Sequence, residues 1–577
     1  MLGTDMRLTK IVATVGPASA RPEVLEQLIR AGADVFRLNS AHSTIEEHAQ
    51  HVADIRTVSE KVGRPVAILV DLAGPMMRVG PVQEGQVTLK TGSPVELAPG
   101  DEVGTAQRLT TTYEGLIDDV EPGSRILLDD GLIELVVTEK RSGSVLCQVT
   151  AGGRLLSNKG INLPGADIST PTITEQDRRV IDWALGQDID LLGISFVRRA
   201  EDVRLVRTIL HEHQSPIRVI AKIEKPEAVA ELDSIVELAD GVMVARGDLG
   251  VEMPLEEVPL LQKRIIALCR ERHKPVITAT QMLESMMTRP RPTRAEVTDI
   301  ANAILDGTDA VMLSGETAVG RYPVAAVAVM DRVARQTEKY LAENPPAARR
   351  ADYDPSRPVA SALSEGAYHI VQWLRPKVVA VSSASGDTAL LLAKERMSIP
   401  IVGVSADPRA VARMCLYYGV RPLRAERLAS LDDLFGLAEE VAVADGLAER
   451  GDEVLLVAGD PFGVSGTTNT LQVRRFRRSA EPAKAEVRRW EQVRPEGVFC
   501  YRIRPESCIC CGTCVSRCPA GIWVLEGGVA TVVEARLSAC VLERTCERDC
   551  PTGAISIRQD RGRGADEASA GEKGDEA

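Results

Sequence analysis

Short apolar runs alternate with longer amphipathic stretches over the first half of the chain. Short runs rich in β-branched residues are typical of buried strands, and apolar residues repeating every three or four positions are typical of packed helices. Their regular alternation predicts a parallel α/β fold. Eight such strands are predicted, the number that closes a barrel: Ile11–Gly16, Val35–Asn39, Val66–Asp71, Leu191–Val197, Val219–Glu224, Val242–Asp248, Val276–Gln281 and Ala310–Ser314.

The alternation is interrupted once, between Pro75 and Pro164, where the runs are shorter and the turns are rich in Gly and Asp. This pattern predicts a small β domain inserted after the third barrel strand. A linker rich in Pro and Ala, 343–355, then precedes a second α/β domain. The strands predicted for that domain are Val378–Val381, Ile401–Val404 and Val454–Val457.

The C-terminal part of the chain differs in composition. The stretch Arg475–Arg494 is rich in Arg, Glu and Ala, which indicates a helical or extended connector, and a cysteine-rich module follows it. The last residues are mainly Gly, Asp, Glu and Ala without periodicity, which predicts disorder. The predicted domains are the barrel (1–74 and 165–343), the inserted domain (75–164), the second α/β domain (356–475), a linker (476–498), the cysteine module (499–557) and a disordered tail (558–577).

Composition narrows the class of protein. A chain of 577 residues is too long for one core, and 44% hydrophobic with 26% charged residues is ordinary for a globular protein. The net charge of −13 argues against nucleic-acid binding. No segment has the pattern of a signal peptide or a membrane span, so we expect a cytoplasmic protein with no membrane partner.

Two of the predicted barrel strands end in charged residues. The strand Val219–Glu224 ends with Lys222 and Glu224, and the strand Val242–Asp248 ends with Arg246 and Asp248. Two carboxylates at the carboxyl ends of barrel strands suit Mg²⁺, which binds few protein carboxylates and completes its shell with substrate oxygens and water. Lys222 lies two residues before Glu224, so both side chains point to the same side of the strand. A structural ion pair is the alternative for either segment alone.

These segments also carry a family resemblance, which covers residues 7 to 475. The chain resembles the pyruvate kinase family in the segments Ala221–Pro226, Ala245–Gly250, Thr278–Met286, Arg289–Glu296 and Met312–Ala318. The resemblance implies a TIM barrel whose inserted small β-barrel domain closes over its mouth as a lid. It also implies transfer of the phosphoryl group of phosphoenolpyruvate to ADP, giving pyruvate and ATP in glycolysis, and a homotetramer.

The resemblance implies roles for the residues of the barrel mouth. Glu224 and Asp248 would bind the Mg²⁺ that bridges phosphoenolpyruvate, while Lys222 and Arg37 would contact the phosphoryl group. Thr280 would lie near the carbon that gains a proton, where its hydroxyl is too weak an acid to act alone and would orient a water relay.

Further residues of the mouth would complete the substrate and nucleotide sites. The backbone N–H groups around Arg246 and Gly247 suit the substrate carboxylate. The resemblance places the nucleotide near His42, Arg78 and Lys159.

The monovalent-cation site departs from the family pattern. The resemblance implies that Asn39 and Asp71 contact K⁺, but Ala41 replaces a family serine that also binds the cation. Leu72 replaces a family threonine, as Ala73 and Met76 replace a lysine and a glutamate. We therefore expect K⁺ to matter less than in a typical member.

A loop of the second α/β domain carries small hydroxyl residues and a glycine between a predicted strand and a helix: Ser382, Ser385, Gly386 and Thr388. Such a loop can cradle a phosphate at a helix start. The resemblance implies a sugar-phosphate or nucleotide effector there, and an ordinary strand–helix turn is the alternative. A glycine loop at Gly466–Leu471 also resembles the family.

Nine of the 12 cysteines lie between Cys500 and Cys550, which in a reducing compartment indicates metal binding rather than disulfides. The spacing C-x₂-C-x₂-C-x₃-C-P is the bacterial ferredoxin run, whose fourth cysteine ligates the other cluster. It is formed by Cys508, Cys511, Cys514 and Cys518. A second run holds Cys540, Cys546 and Cys550, with Glu543 in place of its second cysteine.

Exchange of the fourth cysteines predicts two groups of ligands. The first cysteine group, Cys508, Cys511, Cys514 and Cys550, would hold a [4Fe–4S] cluster. The second cysteine group, Cys518, Cys540 and Cys546, would hold a [3Fe–4S] cluster, or a [4Fe–4S] cluster with Glu543 or water on the fourth iron. Zinc is the alternative. Cys500 and Cys510 are left over.

The predicted fold class is therefore α/β, a TIM barrel with a β lid and a second α/β domain, followed by a ferredoxin-like α+β domain. We predict a pyruvate kinase and hypothesise that its cluster domain senses redox state or oxygen, the alternative being a fused domain that only stabilises the oligomer or binds a partner. One alternative is a redox protein that keeps a non-catalytic barrel as a ligand-binding scaffold. Another is a pyruvate-using oxidoreductase, for which the sequence shows no thiamine or flavin segment.

Overall fold

The computed structural model describes residues 6–344 without 167, 357–477 without 427 and 465, and 488–560 without 495–496, 505–506, 510 and 527–528. The chain forms two compact units, Met1–Phe476 and Arg477–Ala577. Most of the predicted linker after the barrel and most of the predicted disordered tail lie outside the described residues. In the part of the chain that is described, no helix has the length and apolarity needed to cross a membrane.

Eight parallel strands close a barrel in the first unit, which confirms all eight predicted strands to within a few residues at their ends. Each strand is an apolar run that neighbours cover on both sides, as expected for a parallel barrel. The strands are Lys10–Thr14, Val35–Asn39, Ala67–Asp71, Leu191–Ile194, Arg218–Ile223, Gly241–Ala245, Val276–Ala279 and Ala310–Leu313.

Helices follow the barrel strands and bury their apolar faces against them. Several begin at a clear N-terminal signal, such as Thr44 and Thr293, whose side chains each cap a helix in a capping box. The helices are Pro22–Ala31, Ile45–Val62, Glu175–Leu185, Ala200–Glu212, Pro226–Ala230, Leu232–Leu238, Arg246–Glu252, Val258–Glu271, Arg294–Asp306, Gly315–Ala318 and Pro323–Glu343.

The inserted domain follows the third barrel strand and has a hydrophobic core of its own. It consists of a six-stranded sheet and a two-stranded ribbon. One edge strand, Ile161–Asn162, has only two residues. Antiparallel bridges from Arg78 to Gly160 and from Val79 to Thr111 connect the two edges of the six-stranded sheet, which agrees with the predicted small β-barrel. The other strands are Gln86–Leu89, Pro94–Pro99, Arg108–Thr111, Arg125–Leu128, Ile133–Arg141, Ser144–Ala151 and Gly153–Leu156, with one short helix at Leu116–Asp119.

The second α/β domain contains the three predicted strands and two more. Its sheet order is Val420–Arg424, Ile401–Ser405, Val378–Ser382, Glu453–Gly459 and Thr468–Arg475, the last strand being antiparallel. Its helices are Pro358–Leu374, Asp387–Lys394, Pro408–Met414 and Leu431–Ala444.

The floor of the barrel and the second α/β domain share one hydrophobic core, which includes Val12 and Val379. A buried ion pair crosses the same contact, with Lys394 Nζ 2.5 Å from Asp309 Oδ2 and side-chain exposures of 1% and 0%. Lys10 Nζ also donates to the carbonyl oxygen of Val420 at 2.6 Å. The first unit is therefore continuous across its predicted domain boundary.

The second unit has an α+β arrangement. Three antiparallel strands, Arg488–Arg494, Gly497–Ile503 and Ile555–Asp560, form a sheet, and Trp523–Glu526 and Val529–Val532 form a hairpin. Two short helices are Thr513–Arg517 and Thr545–Arg548. The linker predicted over 476–498 is wrong in its second half, because that segment supplies the first strand of this sheet and the start of the next.

Candidate active site

Lys222 lies at the centre of a charged network at the carboxyl ends of the barrel strands. Its ammonium group is 2.8 Å from Glu224 Oε1 and 3.2 Å from Asp71 Oδ2, and it donates to Ser195 Oγ at 2.6 Å. These three partners match the three donors of an ammonium group. Burial opposes the charge, but the carboxylates of Asp71 and Glu224 raise the pKa of Lys222 above its ordinary value.

Arg37 supplies a second cation to the same carboxylate. Its Nε donates to Asp71 Oδ2 at 2.8 Å, and Asp71 is fully buried. Although burial alone would raise the pKa of Asp71, Lys222 and Arg37 lower it below its usual value. Asp71 therefore remains an anion that holds both cations at the barrel mouth.

Glu224 and Asp248 are close enough to affect each other's charge. Glu224 is buried, and its Oε2 accepts a hydrogen bond from the backbone N–H of Phe196 at 2.7 Å. Burial and the charge of Glu224 raise the pKa of Asp248 to about 7. Two carboxylates that repel each other in a buried mouth fit a divalent cation, which would compensate both charges.

Thr280 contacts the loop that was predicted to bind the substrate carboxylate. Its Oγ1 accepts a hydrogen bond from the backbone N–H of Gly247 at 2.7 Å and donates to the carbonyl oxygen of Ala279 at 2.6 Å. The Gly247 amide is thus already paired. A Cβ at Gly247 would lie 3.3 Å from Thr280 Oγ1, so only glycine fits comfortably against this side chain.

Arg246 is held by contacts within the protein and does not point freely into the barrel mouth. Its guanidinium group is 2.7 Å from Asp299 Oδ1 and donates to the carbonyl oxygen of Thr280 at 2.8 Å. Thr280 has a φ of +70°, a left-handed conformation that is costly for a β-branched residue. The Arg246 contact holds that strained backbone in place.

The three residues predicted to bind the nucleotide line one cavity of about 470 Å³ between the barrel and the lid: His42, Arg78 and Lys159. Lys159 Nζ is 2.8 Å from Asp129 Oδ1 of the lid. Burial, together with the charges of Arg78 and Arg37, lowers the pKa of His42. Asp248 lines this cavity and also a second one that contains Thr280, so the two cavities meet at Asp248.

The predicted monovalent-cation site is weakly formed. Asn39 pairs with Asp71 across two neighbouring strands, but its Oδ1 accepts a hydrogen bond from the backbone N–H of Ala41 at 3.2 Å. The carbonyl oxygen of Leu72 accepts a hydrogen bond from Ser195 Oγ at 2.7 Å. Two of the oxygens available to a cation therefore each already accept one hydrogen bond.

Sequence reasoning missed several residues of the mouth. Ser195 holds Lys222, and Phe196 next to it has a φ of +53° and donates its backbone N–H to Glu224. Lys225 Nζ forms a buried ion pair with Glu252 Oε1 at 2.7 Å. A left-handed backbone at a phenylalanine is unusual, and the letters of the sequence do not reveal it.

In the second α/β domain, the predicted effector loop and the late glycine loop line one cavity of about 410 Å³. Ser382, Ser385 and Thr388 line it from one side, and Gly466 lines it from the other. Gly386 begins the following helix with a φ of +89°, which favours glycine.

Seven described cysteines of the second unit have other cysteines as neighbours, Cys508, Cys511, Cys514 and Cys550 in one set and Cys518, Cys540 and Cys546 in another. The pKa of Cys514 is raised to about 11, first by burial and then by its neighbours Cys508 and Cys511, and Cys511 is also a neighbour of Cys550. Burial raises the pKa of Cys546, as do Cys518 and Cys540. Cys510 lies outside the described residues, and Glu543 is exposed.

None of the described residues forms a group of three His, Cys, Asp or Glu side chains that could hold a single metal ion. A zinc site would need such a group. An iron–sulfur cluster places each thiolate on a different iron, so its ligands stand farther apart.

Comparisons with known proteins agree on the first unit. Residues 6–327 match the family model described as pyruvate kinase, barrel domain, and residues 361–474 match the model described as pyruvate kinase, alpha/beta domain. The matched region thus ends before the cysteine module begins.

Individual relatives give the same result. A pyruvate kinase of Geobacillus stearothermophilus is 45% identical over 470 residues, which cover 81% of this chain and 80% of that protein. A pyruvate kinase of Corynebacterium efficiens is 43% identical over 467 residues, covering 81% of this chain and 97% of that protein. A pyruvate kinase of Clostridium acetobutylicum is 39% identical over 470 residues, which cover 81% of this chain and 99% of that protein.

Proposed function

The chain belongs to the pyruvate kinase family, and we propose that it transfers the phosphoryl group of phosphoenolpyruvate to ADP, giving pyruvate and ATP. The observation that carries this proposal is the convergence of Lys222, Glu224 and Asp71 at the barrel mouth. The predicted homotetramer, the cytoplasmic location and the effector stay predictions.

Phosphoryl transfer depends mainly on alignment and on neutralising the charge of the group in flight. Lys222 and Arg37 are the two cations aimed at that group, and Asp71 fixes them both. Their rigid placement avoids reorganisation when charge develops in the transition state.

Glu224 and Asp248 would hold Mg²⁺, which supplies positive charge to the phosphate and carboxylate oxygens of the substrate when it is bound. Their mutual repulsion in the absence of a cation supports this pairing. Asp248 lines both cavities, which suits a group that serves the substrate and the nucleotide.

After phosphoryl transfer, the enolate must gain a proton at carbon. The hydroxyl of Thr280 has a pKa far too high to supply it directly, so we assign Thr280 the orientation of a water molecule. Lys159 and Arg78 would bind the ADP phosphates from the lid side, with His42 beside them.

A coupled assay tests the reaction. Pyruvate formed from phosphoenolpyruvate and ADP in the presence of Mg²⁺ is reduced by lactate dehydrogenase, and oxidation of NADH is followed. Activity that depends on both substrates is expected. A purified, folded chain that forms no pyruvate would favour the non-catalytic scaffold, which the intact network of Lys222 and Glu224 argues against.

For the second unit, we propose two iron–sulfur clusters, one in each cysteine group. The neighbouring cysteines within each predicted group support this. The three thiolates of the second cysteine group suit a [3Fe–4S] cluster, or a [4Fe–4S] cluster whose fourth iron is held by Glu543 or water.

Metal and sulfide analysis of anaerobically purified full-length protein tests the clusters. Iron and acid-labile sulfide in similar amounts are expected, and Cys514→Ser should lose most of one cluster. Cys500→Ser is the matched control, because Cys500 belongs to neither group. Zinc without sulfide would refute the proposal.

We propose that the oxidation state of these clusters regulates the kinase, because phosphoryl transfer itself needs no electron. Regulation requires a difference in stability between two conformations of the enzyme. Half-saturation by phosphoenolpyruvate should then differ between reduced and oxidised clusters. Identical kinetics in both states, and after removal of residues 477–577, would leave the unit without a regulatory role.

A further inference from the structure

Glu252 joins the lid to the barrel close to the residues predicted to bind Mg²⁺. Its Oε1 accepts a hydrogen bond from Asn162 Nδ2 of the lid at 2.9 Å, and Lys225 Nζ of the barrel donates to the same oxygen at 2.7 Å. The side chains of Lys225 and Glu252 are 7% and 1% exposed. Because the two donors come from different domains, this one carboxylate oxygen ties the lid to the barrel mouth.

On the barrel side, the contact is built on the two segments that carry the predicted metal ligands. Glu252 ends the helix Arg246–Glu252, which also carries Asp248. Residues four positions apart lie on one face of a helix, and both of these side chains line the same cavity. Lys225 directly follows Glu224 in the sequence. Glu252 is therefore attached to the metal site through the backbone on both sides.

On the lid side, the contact lies on the segment that carries Lys159. Asn162 is three residues further along the chain, in the edge strand Ile161–Asn162. Lys159, Asn162 and Lys225 all line the cavity of about 470 Å³ between the barrel and the lid. The hydrogen bond of Asn162 therefore fixes how far Lys159 stands from the barrel mouth.

The burial of Glu252 makes this contact costly to break. A buried carboxylate has lost its hydration, so each hydrogen bond that it accepts matters more than one at the surface. If the lid moved away from the barrel, Glu252 would lose a donor to a charged group. The contact therefore favours the lid position that the structure shows.

Resting on the proposed phosphoryl transfer, we propose that Glu252 is a positioning residue that holds the lid, through Asn162, where Lys159 reaches the nucleotide. Lys225 compensates the charge of the Glu252 carboxylate and orients it. In this role, neither Glu252 nor Asn162 contacts the substrates. Loss of the contact should therefore weaken the use of ADP and leave the use of phosphoenolpyruvate nearly unchanged.

Asn162→Asp tests the contact with little change in side-chain shape. The amide donor becomes a second carboxylate beside Glu252, and two adjacent carboxylates repel each other. In the coupled pyruvate assay on the full chain, at saturating Mg²⁺ and phosphoenolpyruvate, the KM for ADP should rise at least about tenfold. The KM for phosphoenolpyruvate should change by less than about threefold, a split that general damage to the fold would not produce.

Thr138→Val is the matched control. Thr138 is an exposed residue of the lid, and its Oγ1 donates to the carbonyl oxygen of Leu146 at 3.0 Å within the same sheet. The control thus removes a hydrogen bond that stays inside the lid. Both KM values should remain parental.

Exchanging the two partners provides a rescue. In Asn162→Asp combined with Glu252→Gln, the carboxylate lies on the lid and the amide on the barrel, so the hydrogen bond can form in the reverse direction. Lys225 keeps an anion close by, since its Nζ and Asn162 Nδ2 both lie within 3 Å of one oxygen in the parent. The KM for ADP should return to within about threefold of the parental value.

A parental KM for ADP in Asn162→Asp would overturn the inference, and so would a failure of the exchange to restore it. If Asn162→Asp does not fold, Asn162→Ala removes the donor without adding a charge and should raise the KM for ADP in the same direction. A folded parent that forms no pyruvate would refute the proposed phosphoryl transfer instead. ADP binding measured by calorimetry would then still test the contact, and equal affinities in the parent and in Asn162→Asp would overturn it.

Discussion

The hydrogen bond from Lys222 to Ser195 can be removed without touching a charged group. Ser195→Ala deletes the acceptor at 2.6 Å and leaves Lys222 its two carboxylates. A hydrogen bond to a charged group contributes about 1.5–3 kcal/mol. Since about 1.36 kcal/mol corresponds to a tenfold change in rate, kcat/KM for phosphoenolpyruvate should fall by about 10- to 150-fold if the bond is fully used in the transition state.

The coupled pyruvate assay at saturating Mg²⁺ and ADP measures this loss. Thr317→Val is the matched control, because Thr317 is a buried hydroxyl residue beside the barrel that donates to the carbonyl oxygen of Thr14 at 2.8 Å and does not contact Lys222. The control should remain near the parental rate. If Ser195→Ala keeps kcat/KM within about threefold of the parent, Ser195 does not position Lys222 for the reaction.

Three further predictions concern the divalent-metal site, the monovalent-cation site and the buried ion pair between the barrel and the second α/β domain. Glu224→Ala should abolish turnover because the metal site loses a buried ligand, and activity within about tenfold of the parent in saturating Mg²⁺ would contradict the assignment. Initial rates in K⁺ compared with a large organic cation should differ by less than about tenfold, since Ala41 lacks a hydroxyl and the carbonyl of Leu72 is occupied; a hundredfold activation would show the reasoning to be wrong. Lys394→Met should lower the free energy of unfolding in urea by roughly 3–5 kcal/mol because Asp309 is left buried without its main cation, and adding Asp309→Asn should recover most of the loss.

The barrel was predictable because of how its strands are buried. A parallel strand covered on both sides consists of apolar residues. At the barrel mouth, charged residues such as Lys222 and Asp248 lie at or after the end of the apolar run. The strands missed in the second α/β domain lack this pattern. Val420–Arg424 contains Pro422, and Thr468–Arg475 is a largely exposed edge strand with polar residues.

The candidate site was predictable only in part, for a related reason. Lys222, Glu224 and Asp248 could be predicted because they lie at the ends of apolar runs and within segments that resemble the family. A serine such as Ser195 carries no comparable signal, and its role comes from a contact with a residue 27 positions away. The strand Arg488–Arg494 was mistaken for part of a linker because its pairing with Gly497–Ile503 is not visible in its Arg-rich composition.

The buried pair of Lys394 and Asp309 determines where this chain can be divided. A fragment that ends after the last barrel helix would keep Asp309 but lose its main cation, and it would expose the apolar floor that now packs on the second α/β domain. Such a fragment should aggregate, because a large exposed apolar patch and an uncompensated buried charge both disfavour the folded monomer. Dividing the chain after Phe476 would keep both this ion pair and this apolar contact within the first unit. That junction is therefore the natural point for exchanging or adding a domain by recombination.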